Sequence, residues 1–254
     1  MKEWLNKKQM QRAFNAAAKH YDHAADLQRE VGDHLLNYIY TLKTDNKTII
    51  DIGSGTGYLS YKLALNNIIS IDIAEKMLQE SKQKESTQAC ICTDTENLSL
   101  IDNSVDIVIS NMALHWCQDI NHAFKEINRT LKPKGKLIFA LPIESSLHEL
   151  TSAWHKIDKY THTNQFPKKQ SIQETLQTLF TEKKLTTLRI IKEYDSIYSL
   201  MKSLKVVGAH NVTTKKPKNL TGKEKLKKLE DNYFKLENNK LPLSYKILMG
   251  IYEK

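Results

Sequence analysis

Apolar positions along the chain follow two different spacings. Between residues 9 and 42 they recur every three or four positions, at Met10, Phe14 and Ala17 and then at Leu27, Val31, Leu35 and Ile39. No proline or internal glycine interrupts this stretch before Gly32, so it predicts two or three helices. From residue 48 onward, short solid apolar runs alternate with amphipathic stretches. The runs predict strands at 49–52, 68–71, 89–92, 105–110 and 136–141, and the stretches between them predict helices at 58–66, 74–84 and 121–131. Lys132-Pro133-Lys134-Gly135 breaks the last of these helices and starts the fifth strand. Strands that alternate with helices in this way point to an α/β protein with a doubly wound, mainly parallel sheet covered on both faces.

Beyond Pro142 the pattern is less regular. Leu147, Leu150 and Trp154 suit a helix, Asn164-Gln165-Phe166-Pro167 a loop, 172–180 a helix and 186–194 a strand. Helices at 196–207 and 224–236 are separated by Gly208, Pro217 and Gly222, and 243–252 suits a final strand. The helical insertions are expected to cap the strand ends, where a substrate enters. One domain over 1–254 is expected: an N-terminal helical lid at 1–45, a core at 46–141, and cap helices with the final strands at 142–254.

The chemistry concentrates after the first strand. Ile49-Ile50-Asp51-Ile52-Gly53-Ser54-Gly55-Thr56-Gly57 places three glycines at alternate positions between a strand and a helix start. Glycine turns the backbone at positive φ and lets a ligand approach where a Cβ would collide, while a helix start offers free N–H groups. The spacing differs from the Gly-x-Gly-x-x-Gly of dinucleotide sites. A second strand ends in Asp72, about twenty residues on, where a carboxylate can accept both ribose hydroxyls. A nucleoside ligand follows. Asp94-Thr95-Glu96 after the third strand and Asn111 at the end of the fourth add polar groups at the carboxyl ends of strands, where the ligand crevice of an open α/β sheet lies.

Glycine loop, ribose acid, Asp-x-Glu and strand-end Asn together resemble the class I S-adenosylmethionine-dependent methyltransferases. The resemblance implies a Rossmann-like seven-stranded sheet with S-adenosylmethionine as cofactor. It places Gly53, Ser54, Gly55 and Gly57 at the methionine part, Asp72 and the adjoining Ile73 at the ribose, Asp94 and Thr95 near the adenine, and Asn111 near the reacting methyl.

Two further segments narrow the family. Arg12-Ala13-Phe14-Asn15-Ala16-Ala17-Ala18-Lys19-His20-Tyr21-Asp22-His23-Ala24-Ala25-Asp26-Leu27-Gln28 closely resembles the start of the malonyl-acyl-carrier-protein O-methyltransferases of biotin synthesis. Ser110-Asn111-Met112-Ala113-Leu114-His115-Trp116-Cys117 matches that family's strand-end segment, and Leu204-Lys205-Val206-Val207-Gly208-Ala209 its cap motif. The chain departs from many relatives in having Ser54 where they carry Cys. The resemblance implies methyl transfer to the free carboxylate of malonyl-acyl-carrier protein. Tyr21 is the first candidate to orient that carboxylate or close the site, and His115 a candidate to contact the substrate. Gln28 is placed at the methionine end, Asp51 at its amino group or as a brace for the glycine loop, and Lys205 at the carboxylate or the carrier's arm. A small-molecule methyltransferase of the quinone-precursor type, an RNA-directed enzyme and a silent cofactor-binding module stay open as alternatives.

Charge adds a partner. The formal net charge is +9, and between Lys215 and Lys240 nine lysines face four acids, Glu224, Glu230, Asp231 and Glu237. The stretch, Lys225 and Lys228 included, reads either as a docking surface for an acidic protein such as the carrier or as a solvated helix face. Aromatics do not interleave with these lysines, which argues against nucleic acid. No apolar run approaches the roughly 18 residues of a membrane span, and Met1-Lys2-Glu3-Trp4-Leu5 has no signal-peptide core, so a cytoplasmic monomer without a membrane partner is expected. Cys90, Cys92 and Cys117 lack metal-ligand spacing and are expected to be buried thiols, with no metal bound.

Overall fold

Asn6 starts the first helix, α1 (Lys7–Ala17), its side chain accepting the Gln9 N–H at 2.9 Å. The computed structural model describes residues 6–64, 67–85, 87–208 and 222–254. A 3-10 turn over Ala18–His23 leads into α2 (Asp26–Ile39), which buries Leu27, Val31, Leu35 and Ile39, the stripe its periodicity predicts. There follow β1 (Ile49–Ile52), α3 (Tyr58–Leu63), β2 (Ile68–Asp72), α4 (Glu75–Gln83), β3 (Ala89–Cys92), β4 (Val105–Asn111), α5 (Ile120–Thr130) and β5 (Leu131–Pro142). After these come α6 (His148–His155), α7 (Lys169–Leu179), β6 (Thr181–Tyr194), α8 (Ile197–Val206), α9 (Lys223–Asn232) and β7 (Leu241–Glu253).

The seven strands form one sheet in the order β3-β2-β1-β4-β5-β7-β6. β1 to β5 run parallel, and β7 is antiparallel to both β5 and β6. β1 therefore lies between β2 and β4, with the chain winding away from it to either side, and this switch point opens the crevice at the strand ends. Alternation along the strands feeds two cores. Ile49, Ile107 and Ile109 join α2, α3 and α6 on one face, while Ile50, Ile52 and Val108 meet Phe124 and Ile127 of α5 and Ile172 and Leu176 of α7 on the other.

Four differences from the sequence expectation have local causes. α3 stops at Leu63 because Ala64 turns into the left-handed region at φ 49°, and the rest of the expected helix, Leu65 and Asn66, lies outside the described residues. α9 ends at Asn232, where Tyr233 becomes extended and its hydroxyl donates to the Pro242 carbonyl at 2.8 Å. β5 begins at Leu131, five residues before its main ladder opens at Lys136, because the Val105↔Leu131 pair precedes a register shift that leaves residues 132–135 without partners on β4. The cysteines are not uniformly buried: Cys92 is exposed and Cys90 only partly covered, since β3 is the edge strand. Among the described residues no group of His, Cys, Asp or Glu is arranged to hold a metal, and no helix is long and apolar enough to cross a membrane.

Gly250 in β7 lies opposite Phe139 of β5, and a Cβ there would come within 2.6 Å of the Phe139 ring and 2.9 Å of the Tyr252 ring. Both rings are fully buried. Gly250→Ala is expected to destabilise the fold by about 1–3 kcal/mol through overpacking, read as a lower urea midpoint at unchanged slope.

Candidate active site

At the carboxyl end of β1 the chain must turn in a confined space. Gly53 adopts φ +64°, and a Cβ on it would stand 2.1 Å from the Ala113 Cβ, so the loop passes directly under the segment that follows β4. Gly55 (φ +55°) carries the loop on toward β2, and its N–H donates to Asp72 Oδ2 at 2.9 Å. The other oxygen, Asp72 Oδ1, accepts the Ala74 N–H at 2.8 Å. Burial pushes the Asp72 carboxyl upward, while these backbone donors pull it back toward the charged form. A carboxylate oxygen can accept more than one hydrogen bond, so the group keeps capacity for a further donor.

These residues open onto a cavity of about 970 Å³, near the top of the range of roughly 300–1,000 Å³ usual for small-molecule sites. Gln28, Gly53, Gly55, Asp72, Ile73, Asp94, Thr95 and Asn111 line it, as do Tyr21, His115 and Lys205. Eleven residues singled out in the sequence thus share one wall system. Asp51, Ser54 and Gly57 do not belong to it. Asp51 is 2% exposed and is not among the residues lining the cavity; Ser60 Oγ of α3 donates to it at 3.1 Å. Ser54 holds its hydroxyl buried, and Gly57 starts α3 at φ 80°.

The lid is fastened by side chains. Thr56 Oγ1 donates to Asp22 Oδ1 at 2.6 Å, and Lys84 reaches both the Asp22 carboxylate and the Thr56 carbonyl. This clasp seats the Tyr21 ring beside Gly55, close enough that a Cβ there would stand 3.9 Å from it. Burial, with the charges of Asp72 and Asp22, raises the Tyr21 phenol and keeps its proton. Farther along, Gln11 donates to the Ile73 carbonyl at 2.7 Å, and Lys7 bridges Asp94 and Glu96. Lys7 was not foreseen, because its partners lie far along the chain and nothing near it in sequence marks the contact.

Asn111 shares the Ile107 and Ile109 face of β4; its Nδ2 donates to the Gln28 carbonyl at 2.8 Å, and its Oδ1 is buried without a partner. His115 stands between Trp116 and Phe166, and burial drives its imidazole down to about 3, so the ring is neutral at pH 7. In the cap, Lys205 and Lys202 are exposed at the cavity and have no carboxylate partner among the described residues. The expected docking stretch divides differently. Lys225 pairs with Asp158 at 2.5 Å beside the Trp154 ring and is an internal strut of the cap, whereas Lys228 is exposed and pairs with Glu224 at 3.0 Å, one turn earlier. Lys215, Lys216 and Lys218, with Ala209 of the cap motif, lie outside the described residues.

The donor set suits an S-adenosylmethionine molecule: a carboxylate held open at a β2 end, glycines where a Cβ would intrude, and an orphaned Asn111 oxygen. Asp51 supplies a pH signature of this loop. Burial lifts its carboxyl to about 7, with the nearby Asp72 charge adding to the rise and the Ser60 bond opposing it. A carboxyl raised above its unfolded value of about 3.9 favours the fold below that value and loses the contribution as pH climbs through the folded one. Unfolding midpoints of the ligand-free protein are expected to fall between pH ~4 and ~7, and Asp51→Asn to flatten that slope. An identical slope in the variant would remove Asp51 from the account.

A family model described as a methyltransferase domain matches residues 50–139. The malonyl-acyl-carrier-protein O-methyltransferase of Gallionella capsiferriformans is 36% identical, the alignment covering 97% of this chain and 90% of that protein. The one from Methylococcus capsulatus is 35% identical over 95% of this chain and 92% of its own length. Among solved structures, the BH2331 protein of Bacillus halodurans C-125 superposes with a TM-score of 0.64 at 14% identity, covering 88% of this chain and 98% of that one. The YcgJ protein of Bacillus subtilis gives 0.56 at 18% identity, covering 87% and 98%. At these identities the structures speak for the fold alone. With a crevice suited to S-adenosylmethionine at the strand ends and near-full-length relatives above 30% identity, the chain belongs to the malonyl-acyl-carrier-protein O-methyltransferase family, a family of S-adenosylmethionine-dependent enzymes.

Proposed function

We propose that this chain transfers a methyl group from S-adenosylmethionine to the free carboxylate of a malonyl group on acyl-carrier protein, giving the methyl ester that primes pimeloyl and biotin synthesis. One observation carries the reading. One cavity runs from the β1 and β2 loops, with Gly53, Gly55 and Asp72, to the cap, with Trp154 and Lys205, giving room for cofactor and acceptor side by side.

S-adenosylmethionine, when bound, supplies a methyl carbon on a sulfonium that leaves as a neutral thioether. In this reading Asp72 takes the ribose hydroxyls, Asp94 and Thr95 border the adenine, and Gln28 with the glycine loop borders the methionine end. The acceptor needs no general base, because a carboxylate with a pKa of about 4 is already ionised at pH 7. The protein's task is to position the acceptor and exclude water. Tyr21 retains its proton and can donate from the lid, and neutral His115 brings no charge that would damp the nucleophile. Lys202 and Lys205 supply positive potential at the cap side of the cavity, where a thioester arm and its acidic carrier would approach.

The test is mass spectrometry of malonyl-acyl-carrier protein after incubation with enzyme and S-adenosylmethionine. A gain of one methylene mass is expected on the malonyl carrier and none on an acetyl carrier; absence of the gain on both would overturn the reading. Asp72→Ala is expected to weaken S-adenosylmethionine binding by about 1.5–3 kcal/mol in calorimetry, the range for lost hydrogen bonds to a charged group. Lys202→Glu with Lys205→Glu is expected to lower kcat/KM far more on the malonyl carrier than on malonyl-pantetheine, and to flatten the salt dependence on the carrier. Equal losses on the two substrates would mean that these lysines act inside the cavity and not on the carrier.

A further inference from the structure

α2 carries a glycine near its centre. Gly32 is buried in the helix, although in a helix interior only proline is less favourable than glycine relative to alanine. The surroundings explain the choice. A Cβ on Gly32 would stand 3.1 Å from Asn111 Nδ2 and 3.2 Å from the Tyr58 ring, closer than such contacts usually come.

Both neighbours are fastened to α2. Asn111, at the end of β4, donates from Nδ2 to the Gln28 carbonyl at 2.8 Å. Tyr58 opens α3 directly after Gly57, and its hydroxyl donates to Asp33 Oδ1 at 2.6 Å. Gln28 lies four residues before Gly32, so its carbonyl also takes the Gly32 N–H in the helix ladder, and a side chain at position 32 leans back toward that turn. A Cβ there would stand where the Asn111 amide comes in to reach the carbonyl. The helix cannot simply retreat, since its Val31 and Leu35 are fully buried in the core. Asn111 and Gln28 both line the cavity, with Gly53, Gly55 and Asp72. Any spacing added between α2 and the end of β4 is thus passed to two residues of the cofactor wall.

We propose that Gly32 is a positioning residue for the cofactor: without a Cβ it lets the Asn111 amide dock on α2, and so sets the spacing of Gln28 and Asn111 along the wall that S-adenosylmethionine contacts. This rests on the placement of those two residues at the cofactor given above. Gly32→Ala, the substitution that helix propensity favours, is then the one that the site resists.

The test is a double-mutant cycle read by calorimetry with S-adenosylmethionine and by urea unfolding of the ligand-free protein. Gly32→Ala is expected to weaken cofactor binding about three- to tenfold, the span of one hydrogen bond. Its unfolding midpoint is expected to move little, because the propensity gained by alanine offsets the crowding. Asn111→Ala is expected to weaken binding by itself, and Gly32→Ala added to it to cost little more, since the amide that the new methyl would displace is gone. A merely structural glycine would lower the midpoint and leave affinity alone; unchanged affinity in Gly32→Ala, or losses that add in the pair, would overturn the proposal. Should Gly32→Ala alone fail to fold, the pair is expected to recover the fold and to bind like Asn111→Ala, and a pair that stays unfolded counts against the proposal equally. Unchanged affinity in Asn111→Ala would overturn the placement of Asn111 at the cofactor and the proposal with it. Calorimetry reads the cofactor alone, so none of these results depends on which acceptor is methylated.

Discussion

The two backbone N–H groups that meet the Asp72 carboxylate set the geometry on which the site depends. One comes from Gly55 in the loop after β1 and the other from Ala74 at the start of α4, so a single side chain ties together the ends of two adjacent parallel strands. The Ser54 N–H adds a third tie, donating to the Ile71 carbonyl at 3.0 Å. The loop is pinned from the other side by Ala113, which leaves no volume for a side chain at Gly53. A carboxylate tied in this way has its orientation fixed before any ligand arrives, at the edge of the cavity it lines.

The lid depends on that floor. Asp22 reaches across to Thr56 of the same glycine loop and to Lys84 after α4, while Lys7 engages Asp94 and Glu96 beyond β3. The N-terminal helices are therefore held at the strand ends by charge-assisted bonds as well as by the small clusters around Phe14, Met10 and Met77. Such a covering can seal the crevice and still be shed, since partly exposed ion pairs contribute little net stability apiece.

The cap follows another logic. Its helices α6, α8 and α9 bury Leu150, Leu200 and Leu229 against the sheet face shared by Ile107 and Ile109, so they are continuous with the core. Polar groups are spent there on orientation: Glu149, almost wholly buried, accepts both the N–H and the hydroxyl of Ser244 in β7 and locks α6 to the antiparallel strand. That lock fixes where Trp154, one and a half turns later, meets the cavity. Cap and N-terminal helices thus border the same cavity from two sides.

What was legible in the sequence is what short stretches of chain decide locally. Burial periodicity marked the β1 to β5 strands and the α2 stripe, and the glycines announced a turn at positive φ because few other residues tolerate it. The place of Asp72 beside the glycine loop was legible because it depends on distance from that turn along one βαβ unit. By contrast, Lys225 has similar sequence surroundings to Lys228, yet Lys225 is partly covered and pairs with the distant Asp158, whereas Lys228 is exposed and pairs with Glu224 one turn earlier. Nor does any local pattern distinguish Asp51, which braces α3, from an acid that faces the ligand. Lys7 beside Asp94 and His162 flat on Trp154 also emerged only in three dimensions. These outcomes turn on which face of the sheet a helix covers and on which loops the strand order brings together. Sheet order and helix packing are settled by contacts between distant segments, so the tertiary structure alone decides them.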